Sequence, residues 1–82
     1  MNKPTDDELI NRAIQQWAKD HDRGRYGRDY DQPGRSLCYV GHDDQGIFVK
    51  LENALVNIVV YRYDAEQDRL YLDDSMREQL GL

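Results

Sequence analysis

Near the start of the chain the apolar residues recur at helical spacing: Leu9, Ile10, Ala13, Ile14, Trp17 and Ala18 share one face, with Trp17 near its centre. Thr5 followed by Glu8 has the spacing of a capping box, and Asp6 and Asp7 sit where the helix dipole is positive. These signals predict a helix over residues 5–20, closed by Gly24 and Gly27 downstream. From residue 37 the period changes to two. β-branched and aromatic residues alternate over 37–40, 47–51, 55–63 and 69–72, punctuated by HDDQG, EN and DAEQ. Connections this short make neighbouring strands antiparallel, so a four-stranded meander is the simplest topology.

The expected fold is therefore α+β: one domain over 1–82, an N-terminal helix covering one face of a small antiparallel sheet. Ser75 and Glu78 repeat the capping-box spacing, which predicts a tail or short helix over 73–82. The alternation also assigns faces. Ile47, Val49 and Leu51, with Val56, Ile58 and Val60 and with Leu70 and Leu72, are expected under the helix. Phe48, Val59, Tyr61, Tyr63 and Tyr71 are expected on the open side. The run YRYDAEQDRLYL resembles the tyrosine-aspartate hairpin repeats of large bacterial surface proteins; it occurs once, is one residue longer, and implies a hairpin and nothing more.

Charge changes the picture more than overall composition does. The net charge is −5, and the first 35 residues are balanced, so the whole acidic excess lies in residues 36–82. Such a field repels a phosphate backbone and steers a basic partner toward the chain. In a meander the first and third turns lie at one end of the sheet, which gathers Asp43 and Asp44 with Asp64, Glu66 and Asp68. The single cysteine, Cys38, rules out an intramolecular disulfide and a cysteine-rich zinc site. No apolar run approaches a membrane span, and the N-terminus lacks the apolar stretch of a signal peptide, so a cytoplasmic protein with no membrane partner is expected.

Between helix and sheet lies DRGRYGRDYDQPGR, in which Arg23, Arg25 and Arg28 with Tyr26 and Tyr30 could grip phosphates and stack on bases. Asp20, Asp22, Asp29 and Asp31 cancel those charges, so a connector laced with ion pairs is the simpler reading and nucleic acid an unfavoured partner. Asp64, Glu66 and Asp68 alternate like an EF-hand loop, but Arg69 and Ser75 stand where that loop needs glycine and glutamate, so no metal is assigned. His42 beside Asp43, and His21 between Asp20 and Asp22, are the candidates for acid/base work, as in a small hydrolase. Sequence neighbours point in different directions, so neither makes a good dyad. No cofactor motif is present. The expectation is a non-enzymatic protein-interaction module, a regulator or inhibitor in role. Its contacts with a basic protein or a second copy would use Phe48, Tyr61, Tyr63 and Tyr71 together with Asp43, Asp44, Asp64, Glu66 and Asp68.

Overall fold

Thr5 starts the helix as its side chain predicts: its Oγ1 accepts a hydrogen bond from the Glu8 amide at 3.2 Å, and its carbonyl accepts the first helical bond from Leu9 at 3.0 Å. The computed structural model describes residues 4–22, 32–55 and 58–73, and in it α1 (Asp6–Asp22) runs two residues past the expected end. Leu9, Ile10, Ala13 and Trp17 are buried and Ile14 is half-buried, while Ala18 faces out and Asp20 is enclosed in its place.

Four strands follow, β1 (Tyr39–Asp43), β2 (Gly46–Glu52), β3 (Ile58–Asp64) and β4 (Arg69–Leu72). They pair antiparallel in the order β1-β2-β3-β4, with α1 against one face, so the chain is an α+β fold with an open meander sheet. The short helix expected after β4 lies outside the described residues, as does Val56.

Two strand starts are later than expected, each for a local reason. Residues Arg35–Leu37 form a single 3-10 turn, in which the Leu37 amide bonds Gly34 and the Cys38 amide bonds Arg35. β1 therefore begins at Tyr39 and reaches Asp43. At the other site the Asn53 side chain accepts the Leu55 amide at 2.9 Å, a local turn that keeps Leu55 out of β3 and 63% exposed. Between β1 and β2, Asp43 Oδ1 accepts the Gln45 amide at 2.9 Å, and Gly46, opposite Asp43 at the close of the two-residue turn, takes a φ of 108°, a conformation open to glycine and costly for other residues.

The faces of β3 are the reverse of those expected. Val49 lies opposite Tyr61 and Leu51 opposite Val59, whereas Phe48 lies opposite Arg62 and Lys50 opposite Val60. Val59, Tyr61 and Tyr63 thus face the helix, and Ile58, Val60 and Arg62 face outward. A shift of one residue exchanges every side chain of a strand between faces. Residues 58–61 are apolar or aromatic in both parities, so alternation alone leaves the choice open; the charges of Arg62 and Asp64 decide it, because they need solvent or a charged partner. Tyr61 is 0% exposed, and its hydroxyl donates to the enclosed Asp20 carboxylate at 2.9 Å.

Tyr61 is consequently a core residue. Tyr61→Phe should cost about 1–2 kcal/mol through the lost bond to a buried carboxylate. Trp17→Ala and Tyr61→Ala should each cost about 3–5 kcal/mol through the cavity left behind. Urea unfolding monitored by far-UV circular dichroism measures all three, and a Tyr61→Ala protein as stable as the parent would contradict the inward placement.

Candidate functional site

The outer face of the sheet is organised around Gly41 and Arg62. Gly41 lies opposite Phe48, and the Phe48 ring folds over it so closely that a Cβ at Gly41 would stand 2.5 Å from the ring's Cζ. The ring meets Tyr39 edge-on, with centroids 6.3 Å apart, and the Arg62 guanidinium lies 5.5 Å from its centre. Lys50 places its ammonium 5.5 Å from the Tyr39 ring in the same way.

Arg62 spans this face. Its two terminal nitrogens donate to the two oxygens of Asp43 at 2.7 Å each, and Nε donates to Asp73 Oδ2 at 2.7 Å. One guanidinium from an inner strand thereby joins the first turn to the residue that follows β4. The two carboxylates hold the guanidinium protonated well beyond its ordinary range, and the Arg62 hydrogen bonds hold the Asp43 carboxyl below the usual carboxylate value. Tyr39 and Tyr71, on the two edge strands, remain 48% and 43% exposed.

On the helix side, a second clasp closes the turn end of the sheet. Arg12 of α1 donates to Asp68 Oδ1 at 2.9 Å and to the Asp68 carbonyl at 2.7 Å. The Tyr63 hydroxyl donates to the same Oδ1 at 2.7 Å, and Arg12 stacks 5.7 Å from the Tyr63 ring. Asp68 takes a left-handed φ of 50°, which aspartate tolerates better than most residues. Its carboxyl is held low, first by the Tyr63 hydrogen bond and then by Arg12; the same bond raises the Tyr63 hydroxyl above its ordinary value. Beside this clasp lies a cleft of about 620 Å³, floored by Leu9, Val40, Ile47 and Tyr63 and rimmed by Asp6, Glu8, His42 and Asp68.

The residues singled out in the sequence are therefore divided. Phe48 and Tyr71 lie on the outer face as expected, but Tyr61 and Tyr63 do not join them, so the four make no single patch. Tyr39, Val60 and Ile58 stand on that face instead. Of the acidic group, Asp43 and Asp68 are committed to arginines, and Asp64 Oδ1 caps its own turn through the Glu66 and Gln67 amides at 3.0 and 3.2 Å. Asp44 and Glu66 are exposed at their turns. Among the described residues no three potential ligands converge as a metal set.

His42 and Asp43 lie on opposite faces, because Asp43 reaches Arg62 on the outer side while His42 lines the cleft; they form no dyad. His21 stacks on Trp17 with ring centroids 4.8 Å apart. Arg23, Arg25, Tyr26, Arg28 and Tyr30 lie outside the described residues. What the sequence reading missed is the part of Arg12 and Arg62. Arg12 sits four residues after Glu8 on the helix flank, and Arg62 carries the one charge between two tyrosines, which is the available signal for both. No family model, curated protein or solved structure matches the chain. Among the described residues no helix is long and apolar enough to cross a membrane.

Two outcomes follow for these clasps. Gly41→Ala should destabilise the protein by about 1–2 kcal/mol by pushing the Phe48 ring aside, and most of that loss should vanish in a Phe48→Ala background, as a double-mutant cycle would measure. Asp43 and Asp68 have folded-state values below their unfolded ones. Their contribution is complete above the unfolded value of about 3.9 and is lost as pH falls through the lowered folded values. Arg62→Met should cost about 2–3 kcal/mol at neutral pH and flatten the acid limb of a stability profile taken from about pH 6 downward.

Proposed function

We propose that the chain is a protein-interaction module, a binding, regulatory or inhibitory protein rather than an enzyme, and that the outer face of its sheet docks on a second copy of itself. The observation that carries this reading is the exposure of Tyr39 and Tyr71 on strands whose backbones the sheet holds rigid, with Phe48 and Val60 between them. Tyrosine buries much area for little lost side-chain freedom, and is enriched at protein interfaces for that reason.

Charge favours a second copy over a basic partner at this face. Lys50, Arg62 and Arg69 stand on it against Asp43, Glu52, Asp64 and Asp73, so it is close to neutral although the chain as a whole is acidic. A face that mixes both signs can pair with itself about a two-fold axis, each basic group meeting an acidic one. It also offers little to a phosphate backbone, since Arg62 is already bound by two carboxylates.

Sedimentation equilibrium over a wide concentration range tests this directly. A monomer–dimer equilibrium is expected, with Tyr71→Ala and Tyr39→Ala each weakening association by about 1–2 kcal/mol. Glu66→Ala, in an exposed turn, should leave it unchanged. A chain that stays monomeric at the highest concentration, or a dimer indifferent to both tyrosines, would refute the reading.

A further inference from the structure

The cleft between α1 and the turn end of the sheet lies on the opposite side from the outer face, and its chemistry is different. We infer that it is a second docking site, taking an arginine or lysine side chain with its aliphatic neighbour from a basic partner polypeptide. The inference rests on the reading of the chain as a protein-interaction module and supplies the partner's chemistry.

Three observations lead to it. The floor of Leu9, Val40, Ile47 and Tyr63 is apolar and comes from the helix and three strands, so it suits an alkyl stem and an adjoining aliphatic side chain. Its volume of about 620 Å³ falls in the range of specific ligand sites. The third observation concerns charge. The cation in the wall, Arg12, is fully engaged by Asp68, which leaves that pair close to neutral. Asp6 and Glu8 at the mouth have no ion-pair partner among the described residues.

An entering group therefore meets carboxylates at the rim and apolar side chains at the floor, and among the described residues no side-chain cation pairs with Asp6 or Glu8. That arrangement repels an acidic or phosphorylated segment and attracts a cation carried on a hydrophobic stem. Among the described residues the carboxylates do not converge as a metal set, and their spread along the rim suits an extended side chain.

The experiment is an amide proton–nitrogen NMR titration of the full chain with acetyl-Leu-Arg-Ile-amide, and in parallel with acetyl-Leu-Glu-Ile-amide. The arginine peptide should shift the amides of Leu9, Val40, Ile47 and Ala65 with a saturable isotherm that weakens as salt rises, and the glutamate peptide should not. Asp6→Asn with Glu8→Gln should weaken binding about threefold or more. Ala65→Arg, an exposed lining position, should block it while leaving the spectrum of a folded protein. Equal shifts from both peptides, no shifts, shifts confined to Lys50, Val60 and Tyr71, or indifference to these variants would each overturn the proposal. Self-association of the unliganded chain is read by sedimentation, so failure at the cleft and failure at the outer face are separable.

Discussion

The side of β3 that faces the helix is set by the charges of Arg62 and Asp64 and secured by the hydrogen bond from Tyr61 to the enclosed Asp20, and the character of both faces depends on that choice. With Tyr61 inward, Val59 and Tyr63 are inward too, and the core gains a large ring where the expected register would have placed small aliphatic chains. Arg62 is then necessarily outward. An inward guanidinium at that position would lie under α1 among Val49, Leu9 and Trp17, where desolvating it would cost more than any packing could return. Polar selection and apolar packing thus agree on one register. Such agreement between levels gives a thin sheet a single structure.

Two arginines then tie together segments that backbone pairing leaves apart. β1 and β4 are the edges of the sheet and do not touch each other through hydrogen bonds, yet Arg62 reaches from β3 to Asp43 on one side and Asp73 on the other. Arg12 does the corresponding work between the helix and the last hairpin, and Tyr63 completes it. In a chain this short the core supplies little spare stability, so ties of this kind matter more than they would in a larger domain. They also set what the surface can do. Carboxylates bound by these guanidiniums are unavailable to a partner, which removes Asp43 and Asp68 from the acidic end that the turns assemble.

Much of the fold was legible because it follows from period and punctuation. The capping threonine, the apolar helix face, the four strands and their meander order all come from local signals, and they stand. The starts of β1 and β3 were less legible, since a 3-10 turn at Arg35–Leu37 and the Asn53 side-chain turn compete with strand for residues that look apolar enough to pair. The face of β3 was misread although the signal existed. Aromatic and aliphatic residues were sorted by kind, when the decisive fact was that Arg62 and Asp64 share a parity with Ile58 and Val60. Charge marks the outer side more reliably than aromaticity marks the inner one. The candidate site was legible only in part: Phe48 and Tyr71 hold their places, whereas the cleft brings together Glu8, Val40 and Tyr63 across separations that no local pattern encodes.

The distribution of charge gives the last step. A net charge of −5 suggests an acidic protein in search of a basic partner, but the structure divides that charge unevenly. On the outer face the bases are fewer than the acids by one, and most are paired with them or laid over aromatic rings. At the mouth of the cleft Asp68 is held by Arg12, whereas Asp6 and Glu8 have no ion-pair partner among the described residues. Electrostatic steering depends on the local field within about a Debye length of ~8–10 Å, so the two proposed surfaces would call for different partners in spite of belonging to one small molecule. If the outer face pairs with itself as proposed, the cleft on the other side of the sheet would leave the dimer with two clefts facing outward. A basic polypeptide spanning both would gain from their linkage what a single shallow cleft lacks in affinity.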